Sequence, residues 1–500
     1  MELKDSMTVF LIPFNFNGLP SKQSIWERSK LNIDKNAIYP HIHNFLVGNI
    51  NVNDDAPLDM QSCIIYSLKD SWKDIAPEDT YISKIINSYK HEIEVENKVL
   101  TFSFMREKGN LSSPKLIFYP QAQIGLLIFS IEPEKENNLS TDDLILLNYN
   151  LQKIGKNRSP IIKISTGNNE QIPEEKAKEI NNIYAALDKF CSFSKKKKED
   201  DTNCWYMNSL INFFLSNLNE DSTPTTLFNE DRVHLFTFLR VNTTIRNEEL
   251  MEDFVRIIRC QNKNYQVIQE EQDCGRFYTQ TFENIFIGSS VEGAAIMTLA
   301  PDDAPEFTRN FKKGSLIPRY LWIYLLVYIQ RQTLIGLTKS LMSINMETID
   351  DSKNTLGNII AKLYLLKIKS YFTNISDHTQ HNSFYRFCAN KLSIRLHFDE
   401  IREKVNDLSI ILQEKELQHD KKIEQKEEQR SKKLGQMLAF IAIAQVFFAF
   451  VAFSKADVFF DWTSSFYIEY KLIFDLIITI LAAGSIFLSM CIAYRVLFKK

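Results

Sequence analysis

LGQMLAFIAIAQVFFAFVAF, residues 434–453, is 20 residues without a formal charge. At about 1.5 Å per residue, a helix of that length covers roughly 30 Å, the thickness of a bilayer's hydrocarbon core. The stretch reads as a membrane-crossing helix. A second uncharged run, LIITILAAGSIFLSMCIAY (residues 476–494), lies between Leu472, Ile473 and Phe474 on one side and Val496, Leu497 and Phe498 on the other, and residues 472–498 read as a second span. The connector, residues 454–471, carries Asp457, Asp461 and Glu469 as well as Lys455. Lys432, Lys433, Arg495, Lys499 and Lys500 flank the opposite ends. By the positive-inside rule both termini face the cytoplasm.

Working back from the first span, residues 413–433 are almost wholly polar, with seven Lys or Arg and six acids. Before them, Ile394, Phe398, Ile401, Val405, Leu408 and Leu412 recur at alternating spacings of four and three, the heptad pattern of a helix packed on a neighbour. A neighbouring subunit and the chain's own body can each produce that pattern. With no Pro or Gly from Ser383 to Lys433, the expectation is one stalk helix over residues 383–433 that continues into the first span. Such a helix joins the membrane segment mechanically to whatever precedes it.

The remaining chain is long enough for two or three soluble domains. A net charge of −3 offers no basic face for nucleic acid, so any nucleotide ligand has to be small. The seven cysteines are scattered without a CxxC pair, as in a reducing compartment. Residues 8–12 read as a first strand, and strand patterns cluster at 62–67, 99–106, 116–119 and 123–131. Ser140 or Thr141 is placed to cap a following helix, with Asp142 and Asp143 in its first turn. Residues 1–191 are therefore expected to form an α/β domain, and SFSKKKKEDDTN (192–203) a charged linker.

Residues 204–317 repeat the mixed pattern, either as a second α/β segment or as part of one larger body. Arg240, Arg246, Arg256, Arg259, Arg276, Arg309, Lys312, Lys313 and Arg319 supply phosphate-binding side chains there without clustering in sequence. Residues 318–382 read as a helical bundle opened by YLWIYLLVYI (320–329), which is about half the length needed to cross a membrane and is expected to be buried. His41 with His43, which would share one side if the stretch were a strand, and His378 with His381, one helical turn apart, lack the further ligands of a metal site. No GxxxxGK[S/T] or GxGxxG phosphate loop occurs, and no nucleophilic triad is spelled out. The chain is not expected to be an enzyme.

Within the first span, Leu438, Ala442, Gln445, Ala449 and Ala452 share one side. This stripe combines small residues with the one mid-membrane amide, and is expected to face a helix neighbour or line a pore rather than face lipid. Ala482, Ser485, Ser489 and Ala493 form a small-residue stripe on the second span. Two helices cannot enclose a water-filled path, so a pore requires several subunits. Asp457, Asp461 and Asp475 would then ring its outer mouth, beside an interfacial belt of Phe459, Phe460, Trp462, Phe466, Tyr467 and Tyr470.

This layout, an α/β cytosolic part, a long stalk helix and two C-terminal transmembrane helices with a short basic tail, resembles the CorA family of divalent-cation channels. The likeness is fullest over residues 318–500. Magnesium-carrying members have a Gly-Met-Asn triplet just after the first span, where this chain reads Phe453-Ser454-Lys455-Ala456-Asp457, so the filter residues do not carry over. CorA-like proteins without the triplet are similar to the membrane effectors attached to type III CRISPR antiviral defence, which answer a small nucleotide second messenger. The resemblance implies a homo-oligomer, a pentamer in the family, in the inner membrane, whose soluble part binds a signal and gates ion flux. A magnesium or divalent-metal transporter, in which the cation is permeant or regulator, is the first alternative. A membrane-tethered binding module without transport is the second.

Overall fold

The computed structural model describes residues 1–16, 19–20, 25–31, 33–47, 63–68, 89–95, 98–104, 111, 113–120, 123–134, 139–154, 160–165, 174–190, 204–216, 218, 232–344, 349–369, 372–459, 480, 484 and 487. The chain divides into two compact units, Met1–Asn345 with Asp351–Asn406, and Met346–Asp350 with Asp407–Lys500.

The first unit is built on strand β1 (Leu3–Asn15), whose residues from Ser6 to Phe14 are all buried. A strand apolar on both faces has to be covered on both. It pairs antiparallel with β7 (Ile124–Pro133) on one edge and with β10 (His234–Val241) on the other. β10 pairs in parallel with β13 (Gly293–Leu299), and the hairpins β12 (Ile285–Ser289) to β13 and β11 (Tyr278–Phe282) to β12 finish that side. Beyond β7 the sheet forks. β5 (Lys98–Phe104), β4 (His91–Val95), β8 (Ile161–Ile164) and β9 (Trp205–Tyr206) form one branch, and β6 (Lys115–Tyr119), β3 (Ile64–Leu68) and β2 (Trp26–Arg28) the other. The result is one sheet of 13 described strands.

The boundary expected at residues 192–203, which lie outside the described residues, is therefore no division of the sheet. Register Leu11↔His234 through Leu3↔Val241 stitches the two segments together along most of β1. They belong to one α/β body because β1 would otherwise leave an apolar edge unpaired.

After the short helix α1 (Pro40–Val47), helices α2 (Thr141–Leu151), α3 (Glu174–Asp188), α4 (Met207–Ser216) and α5 (Glu248–Ile258) contribute to the core on one face, together with Phe10, Ile12, Leu235 and Met297. α2 begins where the sequence placed it. The Ser140 hydroxyl accepts from the Asp143 amide at 3.2 Å and the Asp143 carboxylate accepts from the Ser140 amide at 3.1 Å, closing a capping box. The hydrogen bonds Thr8 Oγ1 to Asn148 Oδ1 (2.8 Å) and Asn148 Nδ2 to Thr237 Oγ1 (2.9 Å) then pin α2 to β1 and β10 from inside the core.

The short helices α6 (Gln269–Gln272) and α7 (Glu306–Arg309) precede a π-helical segment, Lys312–Tyr320, and α8 (Leu321–Met342). Pro318 has no amide to give, and the widened turn leaves its carbonyl to accept from the Asp34 amide at 3.2 Å. α8 covers the opposite face of the sheet. Tyr324 packs on Phe236 at 5.0 Å, and Tyr328 stacks on His234 at 4.6 Å. The apolar run 320–329 is thus a buried soluble helix, as its length required. α9 (Ile349–Lys369) and α10 (Thr379–Lys391) follow, and Gln330 Nε2 of α8 donates to the Tyr385 hydroxyl of α10 at 3.0 Å.

α11 (Ile394–Phe459) is a single helix of 66 residues. The stalk was expected to start at Ser383, but Ser383 lies within α10. Ser393 interrupts the path with a φ of 54°, a left-handed conformation in which an α-helix cannot continue. Ile394, Phe398, Ile401, Val405 and Leu412 are buried in the single chain, so intramolecular packing already occupies the heptad seam. Among the described residues no helix is long and apolar enough to cross a membrane. The second span lies outside the described residues except for Ile480, Gly484 and Phe487.

Candidate functional site

Two regions are candidates for function, one in each unit. In the second unit, α11 passes from its charged stretch into the uncharged run. There Leu438 (53% exposed), Phe440 (73%), Ile443 (67%) and Val446 (70%) all stand open to the surroundings. Ala442, Gln445 and Ala449 are exposed on the same helix. Large apolar side chains point out on more than one side, so no single strip of this helix is the covered one. The backbone of Ala452 and Asp457 continues α11, but their side chains lie outside the described residues, as do Asp461 and Asp475 entirely.

In the first unit, most of the cations expected to supply phosphate ligands are matched to acceptors. Arg256 reaches Glu252 at 2.8 Å and Asp253 at 3.0 Å, Arg259 reaches Glu271 at 2.5 Å and Glu292 at 3.4 Å, and Arg240 reaches Asp302 at 3.3 Å. Buried Lys312 lies 2.9 Å from Asp5 and 3.4 Å from Glu132, and Arg319 lies 2.7 Å from Asp34. Arg246 donates to the Tyr278 hydroxyl at 2.9 Å. These side chains tie elements of the body together, which explains their scatter along the sequence.

The histidine pairs also resolve into structural roles. His41 and His43 sit on α1 rather than on a strand, so a spacing of two residues turns them to different sides. His43 is buried with Nε2 3.2 Å from the Ile33 carbonyl. His381 is buried with Nδ1 2.8 Å from the Ala37 carbonyl, which only accepts, so Nδ1 carries the proton. Burial holds its pKa down to about 4. Among the described residues no group of three His, Cys, Asp or Glu side chains could hold a metal ion.

The structure does bring together residues that the sequence left apart. At the end of the sheet where β10 and β13 begin, a cavity of about 330 Å³ opens between the β12–β13 turn, the end of α2 and one face of α8. That volume is at the lower end of small-ligand sites. Tyr328, Gln332, Ile335 and Lys339 line it at helical spacing, joined by Arg331, and Arg232, Val233, His234 and Glu292 face them.

The turn that supplies Glu292 is held rigidly. The Ser290 hydroxyl accepts from the Glu292 and Gly293 amides, both at 3.1 Å, and donates to the Ile258 carbonyl at 3.0 Å. A side chain at Gly293 would meet Cys260 Sγ at 2.7 Å and the Ile258 carbonyl at 2.9 Å, so only glycine allows this approach of turn to helix.

Arg331 Nη1 donates to the Val291 carbonyl at 3.1 Å, while its buried Nε has no hydrogen-bond partner. His234, 2.6 Å from the Tyr324 hydroxyl, has its pKa pushed down to about 3, first by burial and then by the charge of Arg331. At neutral pH it is an uncharged hydrogen-bonding group. In the sequence Arg331 simply follows an apolar run, and the residues that line the cavity with it come from distant segments. No family model, curated protein or solved structure matches the chain.

Proposed function

We propose that the chain is one subunit of an oligomeric, CorA-like membrane channel whose α/β body senses a small nucleotide, as in type III CRISPR antiviral defence, and gates ion flux. The observation that supports this reading most is α11. It starts on the α/β unit, is buried through its heptad seam, and ends in an uncharged stretch whose Leu438, Phe440, Ile443 and Val446 are exposed on a single chain. Apolar side chains on several sides of one helix call for lipid on some and protein on others. Copies assembled around an axis meet both needs, with the stripe of Leu438, Ala442, Gln445 and Ala449 turned inward and Phe440, Ile443 and Val446 outward. Asp457, Asp461 and Asp475 would concentrate cations at the outer mouth. A pentamer is what the CorA resemblance implies.

Gating requires that the nucleotide bind the open and closed bodies with different affinity. The test is ion flux through the full-length protein in liposomes, with and without nucleotides. Flux that responds to nucleotide supports the channel, steady magnesium-selective flux replaces it with a transporter, and absence of flux leaves a tethered module. In the channel, Gln445→Leu changes conductance several-fold, and unchanged conductance removes Gln445 from the lining.

A further inference from the structure

The polar stretch of α11, residues 413–433, is exposed along its length apart from half-buried Glu416, and its charges are sorted by side. At about 100° per residue, Lys415, Lys422, Lys426 and Lys433 fall within about 40° of one another around the helix, with Arg430 beside them. The acids Glu414, Glu416, Asp420, Glu424, Glu427 and Glu428 all lie about 100° or more from the middle of that basic line. Lys421 and Lys432 sit among the acids, and Lys432 pairs with Glu428 at 2.7 Å. One side of the helix is therefore cationic without a carboxylate, and the rest is predominantly anionic.

This sorting does not serve a helix standing alone. A solitary charged helix is stabilised by opposite charges four residues apart, and like charges at that spacing destabilise it. Here the spacing sets acid against acid at Glu416/Asp420, Asp420/Glu424 and Glu424/Glu428, and base against base at Lys422/Lys426 and Lys426/Arg430. Glu428/Lys432 is the favourable exception. The two sides are complementary to each other, but one helix cannot bring them together.

We propose that residues 413–433 form an interface between copies of the chain, in which the basic side of one α11 lies against the acidic side of the next. A second copy satisfies both sides. An anionic lipid surface or a nucleic acid would meet the lysines and be repelled by the acids. The proposal rests on the channel reading for one point, that the copies stand parallel in one membrane. Two parallel helices about a twofold axis present the same side to each other, which would set Lys422 and Lys426 against their own counterparts. Basic against acidic is a heterologous contact, and it repeats around an axis to close a ring of more than two copies. Each half of the stretch carries both sides, so an insertion shared by every copy leaves the contact in place, whereas reversing charges does not.

The test is dissociation of the full-length oligomer on dilution in neutral detergent, followed by mass photometry. The triple variant Lys422→Glu, Lys426→Glu, Lys433→Glu sets acid against acid and is expected to raise the dissociation midpoint about tenfold or more. Adding Asp420→Lys, Glu424→Lys and Glu427→Lys exchanges the two sides and should return the midpoint to near its wild-type value. All six positions are exposed, so the substitutions leave the core untouched. Raising salt from about 0.1 M to about 1 M shortens the screening length from about 10 Å to about 3 Å and should weaken the wild-type and exchanged proteins alike.

A midpoint unmoved by the triple reversal overturns the interface, and nucleotide-dependent flux that persists in that variant leaves the channel standing on its span contacts. Assembly that weakens on reversal without rescue by the exchange also overturns it, and assigns the lysines to another anion such as a lipid headgroup. Rescue in a protein that conducts nothing supports the interface and removes the channel. A wild-type protein that never assembles overturns both.

Discussion

Asn148 and His234 show how single buried polar groups set the stability of the α/β unit. Asn148 is fully buried and bridges Thr8 and Thr237 with bonds of 2.8 and 2.9 Å, so its amide holds α2 to the two central strands. Asn148→Ala strands two hydroxyls in the core and should cost about 1–3 kcal/mol, seen as a lower midpoint in chemical denaturation. An unchanged midpoint would mean the bridge contributes nothing. His234 folds neutral with its pKa near 3, while in the unfolded chain it titrates near 6.5. The unfolded state therefore takes up the proton first, and the stability present above about pH 6.5 declines as pH falls toward 3. His381, near 4, acts in the same direction over a shorter range. The expected slope is about 1 kcal/mol per pH unit per histidine below about pH 6. Thermal midpoints measured from pH 7 to pH 5 should fall, and fall less steeply in His234→Gln.

Among elements, the join between α10 and α11 determines where the long helix starts. Leu392 and Ile394 are both buried, so the chain has to reverse its local direction over Ser393 while keeping each neighbour in the core. Its φ of 54° does this at a cost to any residue with a Cβ. Ser393→Gly is expected to be neutral or stabilising by up to about 1 kcal/mol, because glycine adopts that conformation freely. Ser393→Ile, β-branched, should lose about 1–2 kcal/mol. Equilibrium unfolding of the two variants provides the check, and equal stabilities would contradict the strained turn.

For the whole molecule, the proposed channel function would depend on α11, one continuous helix of 66 residues, carrying the signal. Four glycines inserted within residues 413–433 would break that helix at modest cost to either unit, since this stretch is exposed apart from half-buried Glu416. The expected outcome is a protein that still binds its nucleotide and still forms a conducting oligomer, but whose flux no longer responds to that nucleotide. Binding by calorimetry and flux in liposomes, measured on the same preparation, read the two separately. A response that survives the insertion would remove the helix as the route of coupling.

The sequence by itself determined what depends on neighbours a few residues away. The Ser140 cap, the buried 320–329 run, the strand at residues 8–12 and the passage of α11 from heptad to charge to apolar run all follow from local periodicity and capping chemistry. It began the stalk too early, because a single left-handed residue such as Ser393 leaves no periodic mark. Tertiary structure alone decided that residues on either side of 192–203 share one sheet, since the pairing of Leu11 with His234 is a long-range register that no local pattern encodes. It also decided the cavity, where Arg232, Glu292 and Arg331 meet only because the start of β10, a hairpin turn and the middle of α8 come together at one end of that sheet.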